Sequence, residues 1–381
     1  MKNKDYTSIR KLFLSLILVV FCLSAIVANP PVKQKKKLLV IGYIGGYRGL
    51  INADIIQPKK LTHINYAFIN LKGNRAVFNN ERNDTINLRR LVQLKEINPS
   101  LKILISIGGW TWSGNFSDAA LSDTSRANFA SSAVDMVRKY NLDGIDIDWE
   151  YPGLTGSGNI NRPEDKQNFT LLLQSLRLSL DSLQQQKTSK MYLTVAAGGF
   201  SSFLKHTEMD IAQQYLDYVN VMTYDYFAGD LTGHQTNLYT SKKYHSQNSG
   251  DMAVNAFIAA GVPAGKLLMG LAFYGRLFQV ATNSLHGIGD SVVSHLRGVG
   301  YSLIKDSIIG KTAFINFKDR HAKAPYLFNK TTSQFISYDD EWSVKNKCLY
   351  VRKKRMAGVM FWEYDNDPKG YLLNEVTEIL N

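Results

Sequence analysis

The chain has 381 residues, 45% hydrophobic and 20% charged, the balance of a folded globular protein and not of a disordered or fibrous one. Two cysteines exclude a disulfide scaffold and any four-thiolate metal centre, and seven histidines without HExxH or His-x-His spacing give no reason to expect a metal site. The formal net charge of +13 is uneven: residues 1–37 carry eight Lys or Arg against Asp5 alone, which leaves about +6 on the rest, with no basic stripe and no nucleic acid expected as a partner.

At the amino terminus Lys2, Lys4, Arg10 and Lys11 precede an apolar run from Leu12 to Ala28, followed by Asn29-Pro30-Pro31. A basic flank, an apolar stretch and a small closing residue are the layout of a secretory signal peptide, here residues 1–28 with Ala28 at the cleavage edge. The run is about 17 residues, the short limit for a spanning helix, so an uncleaved anchor is the competing reading. Cys22 follows Phe21 and not a small residue, against a lipoprotein anchor. The expectation is a secreted protein, extracellular or periplasmic, with no stable membrane association once the signal is removed. Cys348 would then be its only cysteine.

After a basic linker at 29–37, short apolar runs alternate with amphipathic stretches. The β-type runs are Leu38–Tyr43, His63–Phe68, Lys102–Ile107, Gly144–Asp148, Tyr192–Ala196, Tyr218–Met222, Leu267–Leu271 and Ala357–Phe361. Helical patterns lie between them at Arg126–Tyr140, capped by Ser125, at Glu164–Leu183, and at Asp251–Ala260, stopped by Gly261. Eight strands alternating with helices predict an α/β fold, a (β/α)8 TIM barrel. An open doubly wound sheet would carry a glycine-rich phosphate turn after its first strand, and Gly42-Tyr43-Ile44-Gly45-Gly46 does not fit that pattern. From Arg276 to Met356 there are 81 residues, where a barrel connection needs about 30. Short strands at Gly300-Tyr301, Thr312–Phe317, Pro325–Leu327 and Phe335–Tyr338 make 278–335 a small α+β insertion between strand 7 and strand 8, with 38–277 and 336–381 forming the barrel.

The segment Asp143-Gly144-Ile145-Asp146-Ile147-Asp148-Trp149-Glu150-Tyr151 concentrates the chemistry. Alternation along a strand puts Asp146, Asp148 and Glu150 on one face and Ile145, Ile147 and Trp149 on the other. The isoleucines suit the helix layer, so the acids face the barrel interior. Carboxylates spaced about 6.7 Å apart cannot all stay charged cheaply, and a raised pKa suits a general acid near neutral pH. A lone Asp near a strand end reads as a solvated cap, but three at strict two-residue spacing do not; a Mg²⁺ or Ca²⁺ site is the alternative use of such a cluster. Asp148 and Glu150 rise from one side and cannot easily straddle a sugar, so a glycosidase built on them takes its nucleophile from elsewhere. The substrate's own 2-acetamido oxygen can fill that role, with Asp148 holding the acetamido N–H.

The run DGIDIDWE resembles the DxxDxDxE signature of glycoside hydrolase family 18, the chitinase family. Ser106-Ile107-Gly108-Gly109-Trp110 resembles its SxGG motif, Met222-Thr223-Tyr224-Asp225 its MxYD motif, and Phe361-Trp362-Glu363-Tyr364-Asp365 its strand-eight tryptophan. Phe273-Tyr274-Gly275-Arg276 is similar to the segment after strand seven. The resemblance implies Glu150 as proton donor and Asp148 as the group that orients the acetamido and stabilises an oxazolinium ion, sharing a proton with Asp146. It implies Tyr224 as a hydrogen bond to the acetamido carbonyl, with Asp225 in support. Met222 would pack beneath the reacting sugar and Trp362 form its floor, with Tyr43, Phe68, Gly109, Trp110, Tyr151 and Arg276 as lining residues. Asp143, on the other parity, is assigned a structural role.

The resemblance implies a retaining hydrolase, needing no cofactor or metal, acting as a monomer on β-1,4-N-acetylglucosamine linkages in chitin or its oligosaccharides. The alternatives are an endo-β-N-acetylglucosaminidase acting on glycans and a catalytically silent chitin-binding lectin, the latter disfavoured because Glu150 is present. Two departures stand out: strand five ends Ala196-Ala197-Gly198-Gly199-Phe200 without a proline, and the Tyr226–Gly233 segment is short.

Overall fold

The computed structural model describes residues 37–187, 189–226, 230–245, 248–281 and 286–380. The expected signal peptide (1–28) and all of the linker (29–37) except Lys37 lie outside the described residues.

Eight parallel strands close into a barrel: β1 (Leu39–Gly45), β2 (His63–Lys72), β4 (Lys102–Gly108), β5 (Gly144–Asp148), β6 (Tyr192–Gly198), β7 (Tyr218–Met222), β8 (Leu267–Ala272) and β14 (Gly358–Trp362). The short β3 (Arg75–Val77) is a hairpin partner of β2 outside the barrel. Closure is made by β1, which pairs β2 on one side and β14 on the other. All eight expected barrel strands are present; most are short, largely apolar runs of the kind that a sheet covered on both faces requires, and β5 is the exception, alternating Ile with Asp.

The parity of β5 separates two environments. Ile145, Ile147 and Trp149 belong to the large apolar cluster between sheet and helices, where Trp149 stacks on Phe116 with ring centroids 5.3 Å apart. Burying such side chains contributes roughly 1.5–3 kcal/mol each. A separate cluster of Ile41, Tyr43, Ala67, Leu268, Ala357 and Met360 lies on the opposite side of the strands. Asp143, at the start of β5, accepts the Ile103 N–H at 2.7 Å and pairs with Lys95 at 2.6 Å, a structural clasp at the base of the barrel.

The expected helices are present with shifted ends. Asp123–Lys139 begins three residues earlier than expected and is capped by Ser122, not Ser125: the two serines form a reciprocal capping box in which Ser125 is the third helical residue. The second long helix is Asp165–Lys187. Gly250–Ala259 is capped by Ser249 and ends before Gly261, which takes φ +88°.

Between β8 and β14 lies a five-stranded antiparallel sheet: β9 (Tyr274–Val280), β10 (Val292–Gly300), β11 (Ile315–Asp319), β12 (Ala324–Asn329) and β13 (Gln334–Ser337), ordered β10-β9-β13-β12-β11. Its own core holds Phe278, Val280, Tyr326, Phe328 and Phe335. The sheet begins at Tyr274, before residue 278, because β9 follows β8 after one residue. The expected strand at Gly300-Tyr301 is only the end of β10, and Tyr301 starts a helical turn. The strand expected at Thr312–Phe317 runs instead over Ile315–Asp319.

Candidate active site

A cleft of about 790 Å³ opens at the carboxyl end of the barrel strands, where barrel enzymes place their chemistry. Asp148 and Glu150 line it, as do Tyr43, Phe68, Trp110, Tyr151, Met222, Tyr224, Asp225, Arg276 and Trp362. Two expected residues stand elsewhere. Asp146 is fully buried one layer below. Gly109 is not in the cleft wall; a side chain there would lie 2.7 Å from the Phe68 ring, so this glycine makes room for that aromatic.

The three acids occupy distinct surroundings. Asp146 accepts hydrogen bonds from four strands: Tyr43 (2.9 Å), Ser106 (2.8 Å), Thr194, and the Asn220 amide (3.1 Å). Burial pushes its pKa up, and these donors oppose the rise. Asp148 is treated differently: its Oδ1 is buried with no hydrogen-bond partner among the described residues. Burial first, then the neighbouring Glu150 and Asp146 carboxyls, raise its pKa well above the usual range. Glu150 lies two residues beyond the end of β5, its N–H donating to Ser113 Oγ at 2.9 Å. Burial pushes its pKa up to about 7, with Asp225 contributing and a hydrogen bond from Tyr151 opposing.

Around the acids stand two groups that a ligand could use. Tyr224 is half-buried, and among the described residues its hydroxyl meets the Met360 sulfur, at 3.8 Å, a weak acceptor. Asp225 sits in the left-handed region at φ +55°, which aspartate tolerates. Its carboxylate takes both arms of the Arg276 guanidinium at 2.8 and 2.7 Å and the Tyr274 hydroxyl at 2.7 Å.

The walls are aromatic. Phe68 stacks on Trp362 with centroids 5.4 Å apart and planes 19° from parallel, and Tyr47 lies within 6° of the Trp362 plane. Tyr47 donates to both oxygens of Glu363, at 2.8 Å each, while Arg48 forms an ion pair with the same carboxylate. Trp110, half exposed, packs edge-on to Tyr151. Sequence reasoning missed Tyr47, Thr111, Trp112, Ala196, Phe200, Tyr274 and His295 in the wall. Most stand in loops or on the inserted sheet; a strand-by-strand reading gives such positions no parity to argue from.

Among the described residues no cluster of His, Cys, Asp or Glu is arranged to hold a metal ion, and no helix is long and apolar enough to cross a membrane.

A closed parallel barrel whose mouth carries a ladder of buried acids between stacked aromatic rings defines a barrel enzyme with a sugar-type cleft. The match to known proteins narrows that class: the family model "Glycosyl hydrolases family 18" matches residues 39–367, and the chain belongs to that family. The chain is 34% identical to "Chitinase A1" of Niallia circulans, over 96% of this chain and 61% of that protein. It is 33% identical to "Chitinase 1" of Aphanocladium album, over 83% of this chain and 78% of that protein. A solved family 18 N-acetylglucosaminidase from Paenibacillus barengoltzii superposes with TM-score 0.83 at 40% identity, covering 90% of this chain and 100% of that one. The chain thus spans about three-fifths of the length of the first of these relatives.

Proposed function

We propose that this protein hydrolyses β-1,4-N-acetylglucosamine linkages in chitin or chitooligosaccharides, with retention, using the substrate's acetamido group as nucleophile. The observation that carries this reading is the buried Asp148 Oδ1, with no hydrogen-bond partner among the described residues, beside a Glu150 carboxyl whose pKa burial pushes up to about 7. Two carboxyls on one side of a sugar suit an acid and an orienting base; they do not suit an acid and nucleophile placed on opposite sides of the anomeric carbon.

In this mechanism Glu150 donates its proton to the glycosidic oxygen. The acetamido oxygen attacks the anomeric carbon as that bond breaks. Asp148, passing the shared proton to Asp146, accepts the acetamido N–H as a carboxylate; this presses the carbonyl toward the anomeric carbon and offsets the positive charge on the oxazolinium ion. The Tyr224 hydroxyl donates to the same carbonyl oxygen. Water, deprotonated by Glu150 carboxylate, then opens the ring from the face the leaving group left, giving net retention. Trp362 provides a flat apolar floor and Met222 packs beside it. The burial of Asp148 and Glu150 beneath aromatic walls strengthens each of these charge interactions.

Secretion is part of the same proposal, supported by the basic flank and apolar run of residues 2–28. So is the division into a barrel and an inserted lobe, supported by the separate sheet and core of the segment between β8 and β14.

The test is early product analysis on chitohexaose beside the fully deacetylated hexamer. β-anomeric N-acetylated products from the first, and negligible cleavage of the second, are expected. Equal rates on both substrates would overturn the mechanism. A second reading, release of single N-acetylglucosamine units, is favoured by the full-length likeness to the N-acetylglucosaminidase and the short Tyr226–Gly233 segment. Monosaccharide as the sole early product would establish it, and cleavage of a high-mannose glycopeptide in preference to chitohexaose would point to glycans instead.

A further inference from the structure

Four groups donate to Asp146, and they are not equivalent. Tyr43, Ser106 and Thr194 present hydroxyls, which can rotate and accept a hydrogen bond as readily as give one. A ring of hydroxyls alone would tolerate a protonated Asp146 as well as an ionised one. Asn220 differs. Its Nδ2 can only donate, and it lies 3.1 Å from both Asp146 Oδ1 and the Tyr43 oxygen. An N–H aimed at the Tyr43 oxygen occupies that oxygen as acceptor, so the phenol proton points to Asp146 Oδ2, 2.9 Å away. Asn220 therefore supplies one of the four bonds and, with Asn65 beside the same phenol, orients a second. Its position is secured by β7, where Asn220 is fully buried and in register with Ala196 of β6. It is not part of the cleft wall.

We propose that Asn220 is a positioning residue that fixes the polarity of the hydrogen bonds around Asp146, holding that carboxylate as the anion and leaving the shared proton on Asp148. The ionisable groups facing Asp146 are Tyr43 from β1, Tyr224 from the turn after β7, and Asp148 on its own strand. No lysine, arginine or histidine forms an ion pair with Asp146 among the described residues, so hydrogen bonds alone hold its charge. A donor on Asp146 and none on Asp148 Oδ1 is the asymmetry that sorts the proton. It matters because Asp148 must release that proton toward Asp146 when it takes up the acetamido N–H. The consequence for turnover rests on the function proposed above; the state of the carboxyl does not.

The experiment uses Asn220→Leu, branched at Cγ in the same way but larger and without a donor, and Asn220→Ala, smaller and free of any clash. Two readouts are taken. In substrate-free protein labelled with [¹³C-carboxyl]aspartate, the Asp146 resonance, identified by its loss in Asp146→Asn, is titrated. A hydrogen bond to a charged group is worth roughly 1.5–3 kcal/mol, so its midpoint should move up by about one to two pH units in either variant. On chitohexaose the acidic limb of kcat/KM should rise with it, while KM stays within about twofold because Asn220 does not meet the sugar. An unmoved Asp146 titration, or a fall in kcat of equal size at every pH, would overturn the proposal. A wild type inactive on chitohexaose would instead sink the proposed function and leave the titration result standing.

Discussion

Glu150 owes its proton to burial more than to any single neighbour. Its alternation with Asp146 and Asp148 was legible in the sequence, because a two-residue period interleaved with Ile145, Ile147 and Trp149 leaves one inward face for the acids. What separates the roles of the three was not legible: the donors to Asp146 come from β1, β4, β6 and β7, residues 40 to 103 positions away in the chain. Nor could Ser113, which holds the Glu150 backbone from the loop after β4, be found from any spacing. The chemistry is testable at this one residue. A general acid that must be protonated gives activity that falls as pH rises through its pKa, so kcat/KM should decline above about pH 7. Glu150→Gln, which keeps the shape and removes the proton, should lower kcat/KM by about 10²–10⁴ and abolish that alkaline limb. Near-normal turnover in the variant would remove Glu150 from the role.

At the scale of elements, strand positions were read from short β-type runs, while the start of the Asp123–Lys139 helix was set three residues late by taking Ser125 as its cap. Ser125 does cap, but as the third helical residue that reaches back to the Ser122 N–H; the observed N-cap is Ser122, about one turn earlier. The junction of β4 with β5 shows a stricter demand. Gly108 takes φ +110°, and a Cβ there would lie 2.2 Å from the Asp148 carbonyl oxygen. That same oxygen accepts the Gly109 N–H at 2.8 Å and the Ser113 hydroxyl at 3.1 Å. The glycine therefore sets how closely β4 approaches the backbone that carries the acids. Gly108→Ala should destabilise the fold by about 1–3 kcal/mol, seen as a lower denaturation midpoint with unchanged slope. Activity of the folded fraction should fall as well, because Asp148 must move; a variant of native stability and full activity would show that the close approach is not required.

For the whole molecule, the sheet between β8 and β14 was foreshadowed by the length of the interval between Arg276 and Met356 and by short strand-like runs within it. Its strands carry Tyr274, Arg276 and His295 to the cleft wall; Arg276 was expected there, whereas His295, from within the 278–335 segment, was not. The site also sets how the fold responds to pH. Glu150 has a folded-state pKa near 7 against an ordinary 4.5, so the folded protein binds this proton more tightly than the unfolded chain does. The stabilisation from that proton is complete below about pH 4.5 and is lost as pH rises through about 7, leaving a buried charge above it. Asp148, raised for the same reason, adds to the effect. Glutamine at position 150 stays neutral throughout, so Glu150→Gln and wild type should unfold alike near pH 4. The variant should become the more stable of the two toward pH 8, by at most about 3 kcal/mol, read as a melting temperature a few degrees higher. The inactive protein would then be the sturdier one wherever the active acid is ionised. Melting curves whose separation does not widen from pH 4 to pH 8 would mean that Glu150 is solvated in the folded state, and that its acidity is set by something other than burial.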